Sequence, residues 1–227
     1  MTSTDEGRAL RFSEVQAEVE AGEGLADWRM MFQTLETRFA TGDFARGLEL
    51  VARVGGVAGE VGHTPELDLR ATTLHVRLIS RDVFGVTRRD LALARAISEV
   101  AGELGISADP AAVEIVELAL DTPELTEVKP FWRAVLGYSD HPLHDAEVRD
   151  LAGNGPALWF QRTEPHDTPR QRFHLDVRVA PELVAPRTEA ALAAGGRLVS
   201  DEHAPAFIVL ADPQGNQVCL TTGLGRD

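Results

Sequence analysis

Two histidine-centred segments hold most of the side chains in this chain that could move a proton or hold a ligand. The first is Gly62-His63-Thr64-Pro65-Glu66, followed further on by Ser80-Arg81-Asp82 and Thr87-Arg88-Arg89-Asp90. A histidine titrates near neutrality and can serve as general acid or base. Threonine cannot, and arginine does not give up its proton. By side-chain chemistry alone, His63 and Asp90 could take part in proton transfer, whereas Thr64 and Arg81 could only hydrogen-bond a ligand. Arg81 would offer a guanidinium fork to an anionic group. Structural roles compete with these readings: His63 falls where a helix should end, and Asp90 is the third residue of a capping box. The second segment is Arg172 to Val179. Its alternation puts His174, Asp176 and Arg178 on one face of a strand and Phe173, Leu175, Val177 and Val179 on the other. His174 and Asp176, with Trp159, are the pocket candidates there. His141-Pro142-Leu143-His144 and Ser200-Asp201-Glu202-His203 also hold ligand-type residues, but their polar surroundings read as solvated surface.

Bulk properties narrow the classes of function. At 227 residues the chain has room for one large domain or two of roughly 100 residues each. Hydrophobic residues make up 44% and charged residues 26%, which is ordinary for a globular protein. The formal net charge of -14 argues against a nucleic-acid partner. No run is long and apolar enough to predict a membrane span, and the N-terminus lacks the apolar core of a signal peptide. Lys129 is the only lysine, which removes Schiff-base chemistry from the rest of the chain. One cysteine, Cys219, excludes an internal disulfide and suits a reducing compartment. The expectation is a cytoplasmic protein acting on small molecules.

The elements that must position these residues fall into two groups. A break is predicted near Gly105-Ile106-Ser107-Ala108-Asp109-Pro110, placing domains at 1–108 and 109–227. In the first, Ser13-Glu14-Val15-Gln16 predicts a helix start, and Trp28 to Phe39 a hairpin without a clean turn signal. Asp43 is the expected cap of a helix that ends near His63, before Pro65. Leu74, Val76 and Leu78 alternate with His75 and Arg77 as a half-buried strand. Thr87 to Asp90 caps a last helix with Leu93, Ile97, Val100 and Leu104 behind it. In the second, Val113 to Leu120 predicts a strand, and Phe131, Trp132, Val135 and Leu136 a helix. Further strands are expected at Ala157 to Gln161, Arg172 to Val179, Ala206 to Leu210 and Gln217 to Thr222, with a helix from about Pro181 to Ala194. Strand, helix and several strands, repeated, predict two related modules sharing one curved sheet. The fold class is α+β.

The first half resembles the pterin-4a-carbinolamine dehydratases. The resemblance lies in Arg38-Phe39, Asp43-Phe44, Gly62-His63-Thr64-Pro65-Glu66 and Gly85-Val86-Thr87-Arg88-Arg89-Asp90-Leu91-Ala92-Leu93-Ala94. It implies an antiparallel sheet with helices on one face, self-association, and loss of water from a 4a-hydroxytetrahydropterin. Family members carry three histidines for that chemistry. Here His63 keeps the first, while Thr64 and Arg81 stand in the places of the other two, so a degenerate dehydratase is implied.

The second half is similar to the glyoxalase/bleomycin-resistance/extradiol dioxygenase (vicinal oxygen chelate) superfamily, in its glyoxalase-like branch. The residues that carry the likeness are Leu120-Asp121-Thr122-Pro123-Glu124, Phe131-Trp132 with Leu136-Gly137-Tyr138, Phe173-His174-Leu175-Asp176-Val177 and Asp212-Pro213-Gln214-Gly215-Asn216. The resemblance implies paired βαβββ-type modules and a divalent metal held on the inner face of the sheet. Carried over by position, Glu114 and His174 would be its ligands, with Cys219 where a last-strand acid is usual and Gln161 filling the remaining place. Three classes of function stay open: a lyase or metal-dependent enzyme, a sequestering protein of the antibiotic-resistance type, and a scaffold oligomerised by its first domain.

Overall fold

The computed structural model describes residues 7–126, 128–129, 138–153, 155–165, 173–193, 195–211 and 217–226. The chain forms two compact units that divide between Val113 and Glu114. Among the described residues no helix is long and apolar enough to cross a membrane.

The first unit runs α1 (Phe12–Ala21), β1 (Arg29–Met31), β2 (Thr34–Ala40), α2 (Phe44–Val61), β3 (Glu66–Leu69), β4 (Thr73–Leu78), α3 (Arg88–Glu103) and β5 (Ser107–Ala108). Its sheet has the order β1-β2-β4-β3, antiparallel throughout, and β5 pairs with the end of β2 at Phe39 and Ala40. Alternation decides the faces. Leu74, Val76 and Leu78 meet Leu50 and Val54 of α2 and Leu93 and Ile97 of α3 in one core, each of them almost wholly buried. Burying each such side chain contributes about 1.5–3 kcal/mol. Trp28 is enclosed in the same core and donates its indole N–H to Ser98 Oγ at 2.9 Å.

The helix ends are chemically specified. Asp43 accepts from the Arg46 amide at 2.9 Å to start α2, and Gly62, at φ 68°, stops it in the left-handed conformation. Thr87 and Asp90 form the capping box of α3. The first helix departs from expectation: it begins at Phe12, with Arg11 as the cap. The Glu14 carboxylate takes the Arg11 amide at 2.8 Å, so Glu14 closes the box from its third position and Ser13 lies inside the helix. The hairpin of β1 and β2 forms without a turn glycine because Phe32 itself adopts φ 55°.

The second unit contains β6 (Ile115–Thr122), β7 (Ser139–Asp140), β8 (Glu147–Arg149), β9 (Leu158–Arg162), β10 (Phe173–Arg178), α4 (Val184–Ala193), β11 (Arg197–Ser200), β12 (Phe207–Ala211) and β13 (Gln217–Thr221). The eight strands lie in the order β11-β12-β13-β10-β6-β9-β8-β7. The two halves of the sheet correspond: β6 pairs parallel with β9, β10 pairs parallel with β13, and β6 and β10 meet antiparallel at the centre. This is the paired-module arrangement expected from the element order. Phe131, Trp132 and the Asp212 to Asn216 turn lie outside the described residues. Leu118, Leu120, Leu158 and Phe160 form one apolar cluster of the sheet, and Val177, Ile208, Leu210, Val218 and Leu220 another. By alternation, Glu117, Ala119, Asp121, Trp159, His174, Asp176 and Cys219 share the opposite face.

Candidate functional sites

In the first unit the end of α2 and the start of α3 bring His63 and Asp90 together, with Nε2 of the imidazole 2.7 Å from Asp90 Oδ1. Asp90 is fully buried. Its other oxygen accepts from Ser80 Oγ at 2.7 Å, the Thr87 amide at 2.7 Å and Thr87 Oγ1 at 3.0 Å. The carboxylate thus does two jobs: it closes the capping box of α3 and fixes the His63 ring. Thr64 beside it is exposed. Arg81 is also largely exposed and its guanidinium pairs with Glu66, which in turn holds Arg77 at 3.1 Å. Glu66 therefore engages one nitrogen of the Arg81 guanidinium.

A polar network that sequence reasoning left unassigned covers the sheet face opposite the core. Glu36 is completely buried, yet it sits 2.8 Å from His75 Nε2 and 3.1 Å from Arg77 Nε and accepts from Thr34 Oγ1 at 2.6 Å. Burial works against its charged form, but the hydrogen bond from His75 and the charges of Arg77 and His75 outweigh it and hold the carboxyl below the usual range. Cross-strand register explains the grouping, since Glu36, Arg77 and Glu66 stand side by side on β2, β4 and β3.

In the second unit the two central strands and β13 bring His174, Asp176 and Cys219 together. Their donor atoms all lie within 4.8 Å of one another. Asp176 is directly opposite Cys219 on one side and Glu117 on the other. Asp176 Oδ1 is 3.6 Å from His174 Nε2, and Asp121 Oδ1 is 3.5 Å from the other ring nitrogen. The Trp159 indole meets the His174 ring edge-on, with centroids 5.9 Å apart. An imidazole, a carboxylate and a thiol at this separation fit a divalent ion. Bonds of about 2.0–2.3 Å in a tetrahedral site put ligand atoms about 3.3–3.8 Å apart, a spacing the His174–Asp176 pair already has. Among the described residues, Glu117, Asp121 and Asp176 share this face with Arg178, which is almost wholly buried.

Two sequence expectations are corrected. Glu114 does not join this group: it precedes β6, is well exposed and pairs with Arg187. The inward residues of β6 are odd-numbered, so the acid on that face is Glu117. His141 is not solvated surface. It is buried, and its Nδ1 accepts from the amides of Leu143 at 3.0 Å and His144 at 3.1 Å, stabilising a tight loop. His203 is exposed and stacks on Phe207. Gln161 lies opposite Asp121 on β9, two residues beyond Trp159.

The two units correspond to two families. The family model described as pterin 4 alpha carbinolamine dehydratase matches residues 8–100, and that described as a glyoxalase-like domain matches residues 117–221. A protein of Chloroflexus aurantiacus provisionally named pterin-4-alpha-carbinolamine dehydratase is 33% identical over 89 residues, covering 38% of this chain and 96% of that protein. Among solved structures, a transcriptional coactivator/pterin dehydratase from Brucella melitensis shows 25% identity and a TM-score of 0.39, over 42% of this chain and all of the other. A glyoxalase/bleomycin resistance protein/dioxygenase superfamily member from Vibrio splendidus shows 13% identity and a TM-score of 0.34, over 48% of this chain and 99% of the other. The chain is a fusion of a dehydratase-type domain and a glyoxalase-like domain. Through the first of these it belongs to the pterin-4a-carbinolamine dehydratase family.

Proposed function

We propose that this chain is a cytoplasmic small-molecule protein whose chemistry resides in the second domain, at a divalent-metal site made by His174, Asp176 and Cys219. The observation that carries the reading is the convergence of a nitrogen, an oxygen and a sulfur donor within 4.8 Å on neighbouring strands. A bound ion would supply Lewis-acid polarisation of a ligand oxygen. The protein's own contributions are separate from it. Asp121 lies 3.5 Å from the second ring nitrogen of His174, on the side from which carboxylates commonly orient ligating histidines. Trp159 presents an aromatic wall, which suits an oxygenated or aromatic metabolite. Glu114 has no part in the site.

For the first domain we propose a binding role with impaired dehydratase activity. The His63–Asp90 pair supports transfer of one proton, but full dehydration needs one proton delivered and another removed. Thr64 and Arg81 supply neither. We also propose that this domain self-associates through α2. Phe44 and Leu48 are about half exposed on that helix, and Gly55, Gly56 and Gly59 beyond them face open space.

Calorimetric titration of the chelator-treated intact chain with zinc tests the metal reading. One saturable site is expected, and it should vanish in His174→Ala. A titration without heat of binding, or one unchanged in that variant, would overturn it.

A further inference from the structure

We propose that His141 and Glu147 form a recognition pair for a flat cyclic amide, with His141 donating to its carbonyl oxygen and Glu147 accepting its N–H. The inference rests on the reading that the second domain takes a small molecule, and it stands without the metal.

The strands build the pair. Glu147 of β8 is directly opposite Trp159 of β9, Trp159 is opposite Ala119 of β6, and Ala119 is opposite His174 of β10. Their side chains therefore share one face of the sheet. The backbone carries the row one strand further, where the His141 amide donates to the Glu147 carbonyl at 3.1 Å. Three ladders of about 4.8 Å each put roughly 14 Å between the backbones of β10 and β8, so this end of the row is separate from the donors around His174.

His141 holds a donor whose position is fixed. Its Nδ1 accepts from the amides of Leu143 and His144, so the ring proton sits on Nε2. Burial, with the charges of Arg149 and His144, lowers its pKa to about 4 and keeps the ring neutral. The residue is only 5% exposed, and Nε2 is buried with no acceptor among the described residues. An orphaned buried N–H is costly, and a bound acceptor removes that cost.

Glu147 supplies the complementary group. Its side chain is 14% exposed and meets Arg149 Nε only at 3.6 Å, beyond hydrogen-bond reach. Burial raises its pKa against the pull of Arg149 and His144, and in either protonation state it keeps an acceptor oxygen. A donor beside an acceptor matches the C=O and N–H of a cis amide. Open-chain amides strongly disfavour that geometry, whereas a small ring imposes it. Trp159, alongside Glu147, gives such a ring a flat apolar surface.

The experiment titrates the intact chain, carrying nitrogen-15-labelled histidine, with two probes. One is 2-quinolone, a flat lactam; the other is N-methyl-2-quinolone, which keeps the carbonyl and lacks the N–H. The His141 Nε2–H resonance, identified by its loss in His141→Asn, should shift downfield and saturate with 2-quinolone. The methylated probe should bind at least about tenfold more weakly. Glu147→Leu should weaken 2-quinolone by a similar factor and leave zinc uptake at His174 unchanged. No shift with either probe would overturn the proposal and leave Nε2–H to a buried water. Equal binding of the two probes would overturn the acceptor role of Glu147. Binding of 2-quinolone without zinc would sink the metal reading and support this pair, and binding of zinc without 2-quinolone would do the reverse.

Discussion

Asp90 illustrates how one side chain can serve structure and chemistry together. Four hydrogen bonds converge on its carboxylate: one from His63, one from Ser80 and two from Thr87. Replacing it with asparagine keeps the size but removes the charge that accepts them, and it leaves buried donors mispaired. Asp90→Asn should cost roughly 2–3 kcal/mol in urea unfolding. A cost below about 0.5 kcal/mol would contradict the account of a buried, charge-assisted hub. The same residue scale governs the proposed impairment of dehydration. Restoring imidazoles with Thr64→His and Arg81→His should raise the rate of 4a-hydroxytetrahydropterin dehydration at least about tenfold, since a positioned acid or base is worth about 10²–10⁴. Stopped-flow absorbance of the pterin would read it. The resemblance to the dehydratases made His63, Thr64, Arg81 and Asp90 legible in sequence. What sequence left out was the partner of Arg81, because Glu66 reaches it only through the fold.

At the scale of elements, alternation was the reliable guide and short strands were not. The alternation of β4 and β10 and the caps at Asp43 and Thr87 are visible in the residues. Strands such as β7, with two residues, and β8, with three, carry too few residues for any pattern. The Glu114 error belongs here too. The strand starts at Ile115, and a shift of odd length turns an inward residue outward. His141 was misread because a polar loop sequence does not reveal which side chain folds back to cap it. Burial, with the nearby charges of Arg149 and His144, lowers its pKa to about 4, below the unfolded value of about 6.5. Between those values the unfolded chain binds the extra proton, so this group's stabilising contribution is present above pH about 6.5 and declines as pH falls toward 4. His141→Asn keeps an acceptor for the two amides and should flatten that part of the melting temperature–pH curve. A wild-type-minus-variant difference that is constant from pH 7 to 4 would refute the assignment. On α2, Leu48→Glu should shift the chain to a smaller species in sedimentation velocity if that helix is the contact between copies. An unchanged distribution would place the contact elsewhere.

For the whole molecule, fusion joins two domains whose sites differ in kind. The first pairs His63 with the buried carboxylate of Asp90, and its proposed role is binding with impaired dehydration. The second assembles three donors of different chemistry from strands that meet only in the folded sheet. Neither half's fold was hard to recognise, since both rest on long apolar patterns and distinctive turns. The donor set was harder, because His174 and Asp176 lie two positions apart while Cys219 arrives from a strand more than forty positions later and becomes Asp176's neighbour only through the β10–β13 pairing. The most direct test of the central claim is elemental analysis of the full chain, purified without chelator and set against His174→Ala and Cys219→Ser. The account predicts close to one zinc per chain in the natural protein and a large loss in both variants. Protein free of divalent metal after growth in zinc-replete medium, or metal content unaffected by either substitution, would contradict it.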